Sequence, residues 1–167
     1  MSAAMPRGSL AGPPKGSGDA ELDGILKRAK ERGAAQGLGY AGAVTPKEAW
    51  RLHAAGAAVI VDVRSAPERE LVGRVPDALA VEWRAYGAKE TNPRFLDELE
   101  AAVGRGAAVL FLCRSGVRSH HAAELAARAG FERAFNILEG FEGDLGSDQK
   151  RGMLGGWRRA GLPWVQS

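Results

Sequence analysis

The fold is decided by residues 107–119, AAVLFLCRSGVRS, where an apolar run ends at the only cysteine of the chain. The run, residues 107–112, predicts a buried strand. The polar residues that follow include Gly116, which permits a tight turn. A helix is predicted from this turn up to Gly130, which stops it. The stretch therefore predicts a strand that delivers the thiol of Cys113 to the N-terminus of a helix.

Cys113 is the predicted nucleophile. Free N–H groups and the dipole at a helix N-terminus stabilise negative charge, and Arg114 and Arg118 add positive charge beside the thiol. These surroundings favour the thiolate, which is the reactive form of cysteine. The alternative role for a free cysteine is that of a small buried hydrophobic side chain. The polar and basic neighbours argue against that alternative.

The length of the loop limits its chemistry. Successive N–H groups in such a turn can form a nest for an anion. Cysteine phosphatases have the pattern Cys-x5-Arg, whereas four residues separate Cys113 from Arg118 here. The shorter loop suits one outer sulfur atom on the cysteine better than a phosphoryl group.

Composition bounds the class of protein. The chain has 167 residues, of which 45% are apolar and 26% charged, as is typical of one soluble globular domain. The net charge is +3, and the basic residues are scattered along the chain. This pattern gives nucleic-acid binding little support, so no nucleic-acid partner is predicted. A small anionic substrate or an acidic partner is consistent with it.

The single cysteine excludes a disulfide within the chain and indicates a reducing compartment. Three histidines without a Cys-x-x-Cys or His-x-x-x-His pattern predict no metal site, and no cofactor is predicted either. His120 and His121 are predicted to be ordinary helix residues. No apolar run approaches the ~20 residues of a membrane span, and residues 1–18 lack the apolar stretch of a secretory signal. We therefore expect a cytoplasmic protein with no membrane partner.

The chain divides into three predicted parts. Residues 1–18 are rich in Gly, Pro, Ser and Ala and predict a disordered tail. Residues 19–44 predict a helix, Ala20–Gln36 with Asp19 as its N-cap, followed by a linker. Docking of this helix on the domain is favoured over binding to a partner. Residues 45–167 form the predicted domain.

Strands and helices alternate in this domain. It begins with a capping box formed by Thr45 and Glu48. The predicted elements are a helix over 45–55, a strand over 57–63, a helical turn over 67–71, a strand over 79–83, a helix over 92–104, the strand over 107–112, the helix ending at 129 and a strand over 135–138. The alternation predicts an α/β fold, a parallel central sheet with helices on both faces. Sites in such sheets lie at the carboxyl ends of strands, where Cys113, Asp62 and Arg64 stand.

The chain resembles a single-domain rhodanese, a thiosulfate or persulfide sulfurtransferase, over about residues 45–165. The resemblance rests on segments that occur in order, namely Val61-Asp62-Val63-Arg64, Gly73-Arg74-Val75-Pro76-Asp77-Ala78, Cys113-Arg114-Ser115-Gly116-Val117-Arg118-Ser119 and Gly155-Gly156-Trp157…Gly161-Leu162-Pro163. It departs at residues 74–78, where the family usually has His-Ile-Pro-Gly-Ala. Residues 141–154 are also longer than in a minimal domain. The resemblance implies a rhodanese-like three-layer sandwich.

The resemblance also implies a two-step exchange through a persulfide on Cys113. A small anionic donor such as thiosulfate supplies the sulfur, and a thiol or cyanide accepts it. The implied substrate-binding residues are Arg114, Ser115, Gly116, Val117, Arg118 and Ser119, whose backbone N–H groups hold the persulfide. The two arginines attract the donor or are solvated surface charges. Asp62 supports the loop by hydrogen bonding, and Arg64 pairs with a carboxylate or contacts the substrate.

Other functions stay open at this point. One alternative is a sulfur relay that takes sulfur from a cysteine desulfurase and passes it to a partner protein, without thiosulfate turnover. Another is a module that only docks partners, although inactive relatives typically lose the cysteine that this chain keeps. A cysteine phosphatase or an arsenate reductase is disfavoured by the length of the loop.

Overall fold

The computed structural model describes residues 17–167. Its helices are α1 Ser17–Gln36, α2 Pro46–Ala54, α3 Ala66–Leu71, α4 Phe95–Ala102 and α5 Val117–Arg128. Its strands are β1 Gly42–Val44, β2 Val59–Asp62, β3 Leu79–Ala80, β4 Val109–Leu112 and β5 Ala134–Ile137. Within the described residues these strands form one parallel sheet in the order β1-β5-β4-β2-β3. The predicted α/β fold with a parallel sheet is confirmed.

The central strand β4 is buried along its whole length. Successive side chains of a strand point to opposite faces, so Phe111 and Leu110 belong to different apolar clusters. Phe111 packs in one cluster with Phe95. Leu110 packs in the other with Phe135 and Trp157. A strand covered on both faces explains why the run at residues 107–112 is continuously apolar.

Strand β1 lies in the segment that the sequence analysis assigned to a linker. Its three residues pair in parallel with β5, from Gly42 opposite Phe135 to Val44 opposite Ile137. The strand is short and begins with glycine, so its sequence carries little periodicity. It adds an edge to the sheet, and α1 covers it.

Helix α1 packs on the domain, as favoured from the sequence. The Arg32 side chain donates to the Ala43 carbonyl oxygen at 3.0 Å and to the Glu48 carboxylate at 2.6 and 3.2 Å. Burial alone would raise the pKa of Glu48, but the hydrogen bonds and charge of Arg32 and the Thr45 N–H lower it. The predicted capping box of α2 is present, since Thr45 and Glu48 exchange hydrogen bonds of 2.9 and 3.2 Å.

The ends of several elements differ from the predicted ones. Residues 17 and 18, predicted as the end of the tail, lie in α1, while residues 1–16 of that predicted tail lie outside the described residues. Helix α4 begins at Phe95 instead of residue 92, because the Asn92 side chain accepts the Arg94 N–H in a turn that precedes the helix. None of the helices between residues 17 and 167 is long and apolar enough to cross a membrane.

The contact of α1 with β1 predicts a steric effect at Gly42. A Cβ atom at this position would overlap the carbonyl group of Ala29, which belongs to the helix backbone. We expect Gly42→Ala to lower the free energy of unfolding by about 1–3 kcal/mol, the usual cost of overpacking. Urea denaturation would measure it. Gly39→Ala is the control, because a Cβ at Gly39 meets nothing within 4 Å; equal stability of both variants would contradict close packing of α1.

Candidate active site

The cysteine loop, residues 113–119, connects the end of β4 to the start of α5. Cys113 is 1% exposed and follows directly after Leu112, the last residue of β4. Gly116 precedes α5 with φ of 104°, a backbone conformation that residues with a Cβ rarely adopt. The loop therefore bends back over the sulfur atom before the helix begins.

Two groups of the loop contact the Cys113 sulfur atom. The Gly116 N–H donates to Sγ at 3.0 Å, and the Ser119 Oγ lies 3.2 Å from Sγ. Ser119 is fully buried, and its hydroxyl donates its one proton to the Asn136 Oδ1 at 2.6 Å. The sulfur atom is thus contacted from the middle of the loop and from its helical end.

The carbonyl oxygens of the loop are bound from outside. The Phe141 N–H donates to the Cys113 oxygen at 2.8 Å, and the Glu142 N–H donates to the Arg114 oxygen at 2.9 Å. In a planar trans peptide the C=O and N–H point in opposite directions. The N–H groups of Phe141 and Glu142 lie outside the loop and hold these two oxygens. The N–H groups of residues 114 and 115 therefore point the opposite way, towards the inner side of the loop.

Asn136 is a site residue that the sequence analysis missed. Its Nδ2 donates to the Gly116 carbonyl oxygen at 3.1 Å, while its Oδ1 accepts from Ser119. It lies in β5, next to β4 in the sheet, and is 5% exposed. The available signal was an amide in an otherwise apolar strand at its carboxyl end. Asn136 therefore joins two distant positions of the cysteine loop.

Arg118 is held by Glu68 of α3. Two hydrogen bonds of 2.8 Å join the guanidinium to the carboxylate, and the Ser65 hydroxyl donates to the same carboxylate at 3.0 Å. Burial alone would raise the pKa of Glu68, but Arg118 and Ser65 lower it to about 2. The same ion pair raises the pKa of Arg118. Its charge is therefore compensated within the protein, whereas Arg114 is exposed beside it.

Asp62 and Arg64 form a buried pair behind the loop. The Arg64 guanidinium donates to the Asp62 carboxylate at 2.8–3.2 Å and to the Gly73 carbonyl oxygen at 2.8 Å. It also lies over the Phe141 ring, 4.3 Å from the centroid. Within residues 17–167 the carboxylate of Asp62 bonds to Arg64 and not to the cysteine loop, so the support predicted for the loop reaches it only through Arg64 and Phe141. Arg64 is 0% exposed and pairs with a carboxylate instead of facing the substrate side.

His120 and its neighbours form a polar group on α5. The Tyr40 hydroxyl lies 2.7 Å from the His120 Nδ1, and the His120 Nε2 lies 2.9 Å from Glu124. Burial raises the pKa of Tyr40 to about 12. A ring nitrogen of His121 lies within 4.8 Å of the ligand atoms of His120 and Glu124. Both ring nitrogens of His120 already have protein partners, so we assign no metal to this group.

A cleft of about 500 Å³ adjoins the cysteine loop. It is lined by Ser65, Glu68, Val72, Arg84, Ala85, Tyr86, Gly87, Ala88, Arg114, Arg118, Glu142 and Arg151. A larger cavity of about 720 Å³ lies across residues 85–88, but no residue of the cysteine loop lines it. The smaller, arginine-rich cleft is therefore the candidate substrate site.

A fold and a site of this kind define a rhodanese-like protein. The Rhodanese-like domain family matches residues 45–145, and the chain belongs to this family. Its relatives include the uncharacterized protein RP600 of Rickettsia prowazekii, 34% identical over 64% of this chain and 82% of that protein. The thiosulfate sulfurtransferase GlpE of Actinobacillus pleuropneumoniae is 28% identical over 72% of this chain and 89% of that protein.

The solved structures agree with this assignment. The crystal structure of Rv0390 from M. tuberculosis is 46% identical, with a TM-score of 0.68, and the match covers 77% of this chain and 99% of that one. The polysulfide-sulfur transferase of Wolinella succinogenes shares the fold at 19% identity and a TM-score of 0.51. The resemblance found in the sequence is thus confirmed at the level of family and fold.

The ion pair of Glu68 predicts a pH-dependent stability. Because its pKa is lower in the folded chain, the pair stabilises the fold above the ordinary glutamate pKa of 4.5, and this contribution is lost as the pH falls towards about 2. We expect Glu68→Gln to lower the free energy of unfolding by about 1.5–3 kcal/mol at neutral pH. The difference from the unsubstituted protein should shrink as the pH falls below 4.5.

Urea denaturation across this pH range measures the effect. Glu132→Gln is the matched control, because Glu132 is exposed at the surface. A stability difference for Glu68→Gln that stays constant with pH would contradict the ion pair.

Asn136 predicts a separate effect on reactivity. Asn136→Ala removes the side chain that holds both Ser119 and the Gly116 oxygen, so the loop loses its geometry around Sγ. We expect the rate at which iodoacetamide alkylates Cys113 at neutral pH to fall several-fold, because the thiolate loses donors that the loop holds in place. Asn92→Ala is the control, since the Asn92 amide bonds to Glu82 and Glu98. An unchanged rate of alkylation in Asn136→Ala would show that the loop holds its shape without this residue.

Proposed function

We propose that the protein is a sulfurtransferase that carries sulfur as a persulfide on Cys113. The observation that carries the proposal is the buried Sγ, which accepts the Gly116 N–H in a loop whose carbonyl oxygens are bound from outside. Such a preorganised cradle of donors stabilises a sulfur anion at a fixed place. Membership of the family and the likeness to GlpE support the same activity.

The first step loads the cysteine. The Cys113 thiolate attacks the outer sulfur of thiosulfate, a new S–S bond forms, and the S–S bond of the donor breaks. Sulfite leaves with the electron pair, and the terminal sulfur of the persulfide keeps one negative charge. Exposed Arg114 is suited to attract the anionic donor. The N–H groups of residues 114–119 then stabilise the persulfide anion.

The second step returns the cysteine to its starting form. An acceptor thiolate or cyanide attacks the outer persulfide sulfur and the S–S bond breaks. The products are an acceptor persulfide or thiocyanate together with the Cys113 thiolate. This covalent sequence gives ping-pong kinetics. A cytoplasmic, reducing setting, which supplies thiol acceptors, is part of the proposal.

A sulfur relay is the second candidate for the same site. The identical persulfide can be loaded from a protein donor and passed to a partner protein, with no thiosulfate turnover. It differs from thiosulfate turnover only in the donor, which must reach a sulfur atom that is 1% exposed. Phosphoryl transfer has less support, because an arginine must then reach over the equatorial oxygens, and Arg118 is paired with Glu68.

Cys113 should be the sole carrier of sulfur. Incubation with thiosulfate should add one sulfur atom to the protein, as measured by intact-protein mass spectrometry, and cyanide should remove it. Cys113→Ser should take up none, because no other thiol exists in the chain. Ser147→Ala is a control in the segment beyond the loop, and it should load normally.

Several outcomes would distinguish the candidates. Sulfur uptake by Cys113→Ser would overturn the assignment of the carrier. Loading by a polysulfide or a protein persulfide but not by thiosulfate would favour the relay. Cysteine-dependent hydrolysis of an aryl phosphate, with no sulfur uptake from any donor, would overturn sulfur transfer altogether.

A further inference from the structure

We propose that the cleft beside the cysteine loop binds the carboxylates of a small dicarboxylate thiol, with Arg84 and Arg151 as specificity-determining residues. The inference rests on the proposed function, because the bound thiol is the acceptor of the Cys113 persulfide. It extends that function by selecting the chemical class of the acceptor.

The size of the cleft is the first argument. Its volume is about 500 Å³, within the range of about 300–1,000 Å³ that holds an organic ligand of appreciable size. Thiosulfate, cyanide and sulfite fill only a small part of such a space. Arg114 and Arg118 of the cysteine loop line the cleft, so a ligand that lies here contacts the loop that carries Cys113.

The charge of the cleft is the second argument. Four arginines and two glutamates line it, which leaves a net charge of 4 − 2 = +2. Glu68 compensates Arg118 through the bidentate ion pair. The excess positive charge therefore resides on Arg84, Arg114 and Arg151. Two carboxylates balance a charge of +2, and arginine binds carboxylates with two parallel hydrogen bonds.

The placement of the arginines is the third argument. They come from three separate segments of the chain: Arg114 from the cysteine loop, Arg84 from the turn after β3, and Arg151 from the segment that follows β5. The Arg151 Nη1 donates to the Gly143 carbonyl oxygen at 2.8 Å, which fixes its position and leaves other N–H groups for a ligand. Tyr86, 76% exposed, adds an aromatic wall.

The test compares acceptor thiols that differ in charge. Protein loaded with sulfur at Cys113 is mixed with mercaptosuccinate, which has two carboxylates, or with neutral 2-mercaptoethanol. The rate at which the persulfide disappears is measured per thiolate, so that differences in thiol acidity cancel. We expect mercaptosuccinate to have a second-order rate constant of persulfide removal about tenfold higher, as one or two charge-assisted hydrogen bonds provide.

The arginine variants locate the effect. Arg84→Gln and Arg151→Gln should each lower the ratio of the two rates several-fold, and the double variant should bring it close to one. Arg105→Gln is the matched control, because Arg105 pairs with Glu100 at the surface and does not line the cleft. It should keep the ratio of the unsubstituted protein.

Succinate, which has two carboxylates and no thiol, tests the cleft by competition. It should compete with mercaptosuccinate in the unsubstituted protein and compete several-fold more weakly in the double variant. Equal rates for both thiols, or a preference that survives in the double variant, would overturn the inference while leaving sulfur transfer intact. Failure of every thiol and of cyanide to remove the sulfur would instead overturn the proposed function.

Discussion

The rest of the site depends on one constraint, which is that the carbonyl groups of the cysteine loop are held pointing outward. A loop that bends around an anion needs its N–H groups inside, and planar peptides then place the oxygens outside. Buried carbonyl oxygens need donors. The chain supplies them from one region, with the N–H groups of Phe141 and Glu142 and the amide of Asn136. The end of β5 and the turn after it are therefore part of the cysteine site.

The sheet order explains how this region reaches the loop. Strand β5 lies beside β4, and both are parallel, so their carboxyl ends meet at one edge. The turn after β5 then crosses the loop so closely that a Cβ at Gly140 would lie 2.5 Å from the Arg114 carbonyl. The Phe141 backbone binds the loop, and the Phe141 ring packs against Arg64, which Asp62 holds in place. The buried ion pair thus acts on the sulfur site through an aromatic ring and one backbone hydrogen bond.

The sequence was informative where local chemistry and local structure coincide. The apolar run before Cys113, the glycine in the turn and the helix after it are contiguous, so the strand, the turn and α5 were predicted. Asn136 could not be assigned, because its role exists only once β5 lies beside β4. The sequence analysis assigned β1 to a linker for the same reason. A segment of three residues is a strand only because it pairs with β5. Arg118 shows the limit clearly: its neighbours in sequence suggest an anion site, but Glu68, fifty residues earlier, holds its charge.

The pairing of Arg118 with Glu68 also divides the tasks of the basic residues. A guanidinium locked by two hydrogen bonds of 2.8 Å serves to tie α3 to the start of α5, and so to hold the loop from its helical end. Binding of a diffusing anion needs arginines whose charge is not already compensated by a carboxylate of the protein. Such arginines, Arg84, Arg114 and Arg151, line the cleft and come from three separate segments of the chain. In the acceptor site that we propose, the cleft selects the molecule while the cysteine loop keeps its geometry, because neither Arg84 nor Arg151 contacts Sγ.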